Sequence, residues 1–178
     1  MTSPPIDRVR PGSLAWEAGI RPGDVLLRIN DRDPRDVIDV LFYQAEPLVE
    51  LLLARPDGSQ ERLLIEKHPD EDLGLEWDVA TWDGLRLCNN NCFFCFLKGL
   101  PKGLRRTLYL KDDDYRLSFL HGNFVTLTNL TEEDWARLEE QRLSPLHVSV
   151  HDTDPELRRK MLKNPSAPDI LAQLRRLG

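Results

Sequence analysis

All three cysteines of this 178-residue chain lie in one short stretch, LRLCNNNCFFCFLKGLP, at Cys88, Cys92 and Cys95. Thiols that are odd in number and this tightly spaced cannot build a normal disulfide framework, so no covalent staple holds the fold together. The spacing, C-x3-C-x2-C, instead asks for a compact loop that presents its thiols together. Three thiolates on such a loop can each hold one iron of a cubane cluster. A four-iron cluster then keeps one iron free of protein ligands, and an open coordination site is where a substrate or cofactor binds. Other chemistries fit less of the pattern. Zinc sites usually bring their ligands as two pairs, and only one pair is present here, with His121 distant in sequence. A ferredoxin-type run needs a fourth cysteine. A thioredoxin-like C-x-x-C accounts for Cys92 and Cys95 and leaves Cys88 unexplained. The non-functional alternative is three apolar core cysteines, against which stand the asparagines between the thiols.

The remaining composition suits an ordinary globular protein, 40% hydrophobic and 30% charged, in one large or two small domains. A net charge of −6 argues against a general nucleic-acid footprint. The longest apolar run, LVELLLA, falls far short of the roughly 20 residues that span a bilayer. The start, MTSPPIDRVRPGS, has no apolar segment of the secretory kind. These features predict a cytoplasmic protein with neither a nucleic-acid nor a membrane partner.

The first half alternates strands and turns. IDRVRPGS reads as a short strand and a turn, SLAWEAGI as one or two helical turns stopped by Gly19, and VLLRI as a strand closing into the turn NDRD. PRDVIDVLFYQAE has helical spacing, with Val37, Val40 and Leu41 on one side. LVELLLAR and QERLLIEKH are predicted strands, joined by PDGS, whose Asp-Gly is a strong hairpin signal.

The run GSLAWEAGIRPGDVLLRINDRDPRDVIDVLFYQ resembles a bacterial PDZ domain, over about residues 5 to 77. That resemblance implies a module, 1–77, that takes up an extended peptide as an added strand. In the family the peptide carboxylate is held by a Gly-Leu-Gly-Phe-type loop. LGLEW is its counterpart here, which makes Leu73, Gly74 and Leu75 the implied peptide-binding residues. Glu76 or Trp77 stands where the family has its final apolar position, and an acidic group there disfavours a terminal carboxylate. The alternative is a docking domain.

The second half, 78–178, reads differently. GLRL is expected to be a short strand leading into the cysteine loop, and NFVTLTNL and PLHVSVHDT to be buried strands. TEEDWARLEEQRL is a predicted helix with Thr131 as N-cap and Asp134 in the capping-box position. DPELRRKMLKN is a helix with Pro155 in its first turn, and APDILAQLRRLG is a further helix. Strands alternating with helices predict a parallel sheet, so the chain as a whole is α/β.

The cysteine spacing, the aromatic Phe94 before Cys95 and the strand expected upstream resemble the radical SAM superfamily. The longer stretch CFFCFLKGLPKGLRRTLYLKDDDYRLSFLHGNFVTLTNL is similar to a bacterial group of radical-SAM-like proteins that carry an N-terminal PDZ-like domain and a C-terminal domain of unknown function. The resemblance implies that Cys88, Cys92 and Cys95 bind a [4Fe–4S] cluster whose fourth iron is chelated by S-adenosylmethionine. One-electron reduction by an electron donor then cleaves that molecule to a 5′-deoxyadenosyl radical, which abstracts hydrogen from a substrate. It implies a partial (βα) barrel, of which this chain holds about three units, GLRL, NFVTLTN and LHVSVHD, as the N-terminal part of a longer protein. The family's Gly-Gly-Glu-like motif at the end of the second strand is replaced by TLTNL. Thr128 and Asn129 thus become the candidates for contacting the amino group of S-adenosylmethionine.

Two further stretches stand out. The three aspartates of KDDDYRLSFLHGN form either a solvated turn or an acidic loop that meets a cationic substrate or pairs with Arg105 and Arg106. His151 and Asp152 follow a predicted strand at its C-terminal end, where parallel sheets carry their ligands, and are candidate substrate-binding residues. His147, four residues earlier, shares the face of His151 and reads as structural. The reading that unites these features is a radical SAM-type enzyme with a peptide-binding or docking module. Its rival is a non-catalytic adaptor with a structural or redox-sensing metal site.

Overall fold

Seven short elements build the first half. They are β1 (Arg8–Val9), α1 (Leu14–Glu17), β2 (Val25–Ile29), α2 (Val37–Tyr43), β3 (Leu48–Ala54), β4 (Gln60–Glu66) and β5 (Leu75–Glu76). Their physical logic is most evident in β3 and β4. Every second residue of β3 is apolar and buried (Val49, Leu51, Leu53), and Gly58 at φ 85° gives the hairpin its tight turn. The pairing is antiparallel and unbroken from Leu48↔Glu66 to Ala54↔Gln60. Strand β2 adds antiparallel to the other edge of β3, with a bulge between Leu26 and Arg28. A separate two-stranded antiparallel sheet joins β1 to β5, Arg8 opposite Glu76. Ile6, Ile20, Leu26, Ile29, Leu51, Leu53 and Leu73 fill the core between these sheets and the helices.

The computed structural model describes residues 3–178, and the chain divides between Gly84 and Leu85 into two compact units. The expected boundary lay at 77/78. Residues beyond it remain with the first unit because they are tied to α2: Val37 N–H donates to Ala80 O at 3.0 Å, Asp36 bridges Thr81, and the Trp77 and Trp82 rings pack at 5.2 Å.

The second unit contains α3 (Tyr115–His121), β6 (Phe124–Val125), α4 (Glu132–Gln141), β7 (His147–Val148), α5 (Pro155–Leu162) and α6 (Ile170–Leu177). Its helices start where the sequence provides caps. Thr131 and Asp134 form a reciprocal capping box, and Asp154 and Asp169 accept from the first amides of α5 and α6. Strands β6 and β7 are parallel neighbours, Phe124 opposite His147, and α4 crosses between them. The apolar core is Tyr115, Val125, Leu127, Trp135, Leu138 and Ile170. No barrel is closed: the sheet of this unit has two strands.

Two expectations are corrected here. GLRL is not a strand; it makes one antiparallel bridge, Leu87 to Asp112, and its neighbouring backbone groups are taken by side chains, Arg86 N–H by the Asp114 carboxylate and Leu87 O by Asn129. The aspartate run is not a solvated turn. Asp113 and Asp114 are buried, and Asp114 caps α3, a helix that the like charges hid. Its ion-pair partner is Arg116, fully buried beside it at 2.7 Å, rather than Arg105 or Arg106.

Candidate metal centre

The backbone of the cysteine segment is pinned at each end. Cys88 N–H donates to Lys111 O at 2.8 Å, and Asp113 N–H to Arg86 O at 2.9 Å, so Cys88 runs beside the aspartate segment. Arg86 N–H donates to the Asp114 carboxylate, and the Arg86 guanidinium reaches Asp134 of α4 at 2.6 Å. On the far side, Asn91 N–H donates to Leu162 O at the end of α5. Cys92 packs there against Leu162 and Ala167. Cys95 opens a single 3-10 turn, Phe96–Gly99, and Lys98 Nζ folds back onto the carbonyls of Asn91 (3.0 Å) and Cys92 (2.6 Å). That ammonium clamps the loop at the point where it would otherwise splay.

The three thiols open on one cavity of about 630 Å³. They are free, with no disulfide. The floor is made by the C-terminal ends of the two parallel strands, through Thr126 after β6 and Ser149 and His151 after β7. This is the edge at which parallel sheets bind ligands. Phe94, Phe96 and Leu110 supply apolar wall, and Asp112 and Asp113 supply carboxylates. Leu127 (φ 58°), beyond β6, and His151 (φ 66°), beyond β7, are both left-handed, a conformation that L-residues rarely adopt. The His151 ring lies 5.3 Å from that of Phe94, and its buried Nδ1 has no hydrogen-bond partner.

Burial dominates the electrostatics of the site. Burial pushes the thiols of Cys88 and Cys92 above their ordinary pKa. Burial also raises Asp113, against the opposing hydrogen bonds from Thr126. His151 is held below the usual imidazole range by burial and then by the charge of Arg158. Neutral thiols must release protons to become ligands, so metal uptake here is coupled to deprotonation.

A polar network fixes the floor. Asp113 accepts from the Thr126 amide at 2.6 Å and its hydroxyl at 2.5 Å. Asn90 Nδ2 reaches Thr126 Oγ1 (2.9 Å), Thr128 Oγ1 (2.8 Å) and Cys88 Sγ (3.3 Å). Thr128 donates to Asn89 Oδ1, and Asn129 Nδ2 donates to the carbonyls of Leu87 and Asp113. Thr128 and Asn129 therefore stand behind the cavity rather than on its wall. Asp152 is likewise off the cavity: its carboxylate accepts from Asp154 N–H at 2.8 Å. Sequence reasoning missed Asn90, Thr126 and the fully buried Arg158, while Asp113 lay in the aspartate run it had singled out. The legible signal was the triple asparagine between the first two thiols, which no core or solvated turn requires.

In the first unit, Leu73 is buried and its N–H donates to Gln44 Oε1 at 3.2 Å. The Gly74 N–H goes to Asp72 Oδ1, and Leu75 sits opposite Val9 in the β1–β5 pair. The amides of Leu73 and Gly74 are thus engaged within the unit.

Among the described residues no three His, Cys, Asp or Glu side chains are gathered about a single-ion position. Three free thiols that open on one cavity are a donor set that a cubane could use, one thiolate to each of three irons. The family model for a radical SAM-like domain matches residues 67–178, and the model for a PDZ domain matches residues 6–67. No curated protein matches the chain. Among the described residues, no helix is long and apolar enough to cross a membrane.

Proposed function

The chain belongs to the radical SAM-like domain family, with a PDZ domain preceding that region, and from this premise we propose that Cys88, Cys92 and Cys95 hold a [4Fe–4S] cluster in a protein that cleaves S-adenosylmethionine. The observation that carries the reading is the opening of all three thiols on one cavity at the ends of two parallel strands. When bound, the cluster and S-adenosylmethionine supply reductive cleavage and a carbon-centred radical, with the electron drawn from an external donor.

The residues of the chain bind, orient and exclude water. Lys98 holds the loop carbonyls so that Cys92 and Cys95 face the same space as Cys88. Phe94, Phe96 and Leu110 keep that space apolar, which protects a reactive intermediate from solvent. The carboxylates of Asp112 and Asp113 offer acceptors for an ammonium group. Thr128 and Asn129 serve the cofactor at one remove, by fixing Asn89, Asn90 and the Asp113 backbone. His151 meets the substrate from the cavity floor, and Asp152 shapes the turn behind it. The PDZ domain recruits a peptide or protein partner.

The test is anaerobic reconstitution of the chain, followed by iron and sulfide analysis and by electron paramagnetic resonance of the reduced protein. About four irons per chain and a signal that changes when S-adenosylmethionine is added are expected. Stoichiometric zinc with no iron, or a cluster signal indifferent to S-adenosylmethionine, would overturn the reading in favour of an adaptor.

A further inference from the structure

We propose that Asn90 sets the reduction potential at this site, by donating its side-chain amide to the sulfur of Cys88. The inference rests on the cluster reading above and adds to it a residue that is not a ligand. Asn90 is 3% exposed. Its orientation is determined: Oδ1 accepts from Asn164 Nδ2 at 2.8 Å, so Nδ2 must face the thiol and the two threonines. Of the three sulfurs, Cys88 Sγ is the one that receives a side-chain hydrogen bond, among the described residues.

The amide has two protons and three acceptors. Thr126 donates its own hydroxyl proton to Asp113, and Thr128 donates its own to Asn89, so both threonine oxygens turn lone pairs towards Asn90. With two protons for three acceptors, one goes to Thr126 Oγ1 and the other is divided between Thr128 Oγ1 and Cys88 Sγ. A neutral thiol accepts weakly, and at 3.3 Å the contact is ordinary for N–H···S. A metal-bound thiolate accepts more strongly, and more strongly again when the centre gains an electron. A donor whose bond strengthens on reduction stabilises the reduced state and raises the potential. The same account gives Thr128 an opposing part. It competes for the amide, so it weakens the bond to sulfur.

Redox titration of the anaerobically reconstituted chain, followed by visible absorbance and without S-adenosylmethionine, decides the matter. Asn90→Ala moves the potential to a more negative value while iron content is retained. Thr128→Val moves it the other way, because the freed proton turns to Cys88. A merely structural role for this network predicts loss of iron in both variants, not shifts of opposite sign. Iron-loaded Asn90→Ala with the parent potential overturns the proposal and leaves the cluster reading intact. Should Asn90→Ala fail to hold iron, Thr128→Val still decides: an unchanged or more negative potential overturns the proposal. A parent chain that binds no iron overturns both readings.

Discussion

Arg158 donates from Nη2 to the carbonyl of Thr126 at 2.7 Å, and so ties the middle of α5 to the end of β6. The same guanidinium donates from Nε to Val150 O, just past β7, and from Nη1 to Pro168 O, just before α6. One fully buried side chain thus gathers the two strand ends that floor the cavity. Arg158→Ala removes three charge-assisted hydrogen bonds and leaves the carbonyls buried, so the second unit should lose about 3 kcal/mol or more. Urea unfolding of parent and variant measures the loss. Arg158→Lys recovers only part of it, because an ammonium cannot reach three carbonyls in this fork.

Asp114 and Arg116 give a pH dependence with a definite sign. Burial, the largest influence on the Asp114 carboxyl, pushes its pKa up. The side-chain bond from Arg116, the Arg86 amide and the charge of Arg116 together outweigh burial and hold it below the usual carboxylate range. A lowered folded pKa means stability that is fully present above the unfolded value of about 3.9 and lost as pH falls through the folded value. Asp114→Asn should flatten the acid limb of the stability curve below about pH 4. It should also cost on the order of 3 kcal/mol at neutral pH, since it takes a carboxylate away from a buried guanidinium. Denaturant midpoints across the acid range provide the test.

Gly74 is the least replaceable glycine in the first unit. Its φ is 83°, and an added Cβ would run into the Cβ and Oγ of Ser13, the cap of α1. Gly74→Ala should destabilise this unit by about 2–4 kcal/mol through backbone strain and overpacking. Hydrogen exchange at the β2 and β3 amides should speed up accordingly, and the β6–β7 amides should not change.

Each cysteine should be indispensable. Cys88→Ala, Cys92→Ala and Cys95→Ala each lower iron from about four per chain to background, because the chain has no other thiol to substitute. Full iron retention in any one of them would place the ligands elsewhere.

The elements that the sequence announced are those whose local chemistry agrees with their packing. The β3–β4 hairpin had its Asp-Gly turn and its strict alternation, and α4 had both halves of its capping box. The strands around the cavity were announced longer than they are. NFVTLTNL promised a full strand, but only Phe124 and Val125 make ladder pairs. Beyond them Thr126 and Thr128 turn their side chains to Asp113, Asn89 and Asn90, and Leu127 is left-handed. Side-chain bonds replaced ladder bonds there, and β propensity carries no trace of that exchange. Helix α3 was hidden for a related reason. Asp114 was counted as one of three like charges, when its place before YRLSFLH made it a cap. The cysteines and His151, which line one cavity, had been singled out because their chemistry is written in residue type. Asn90 and Arg158 were not, because their value lies in partners far along the chain.

That distance governs when the site can form. Asn164, which brackets both Asn89 and Asn90, follows them by 75 and 74 residues. At roughly 5–20 residues per second, a ribosome needs several seconds to go from one to the other. Through that interval the three thiols are made and their bracket is not. On the cluster reading, metal delivery follows completion of the second unit, because the segment between the first two thiols is not held in place before then.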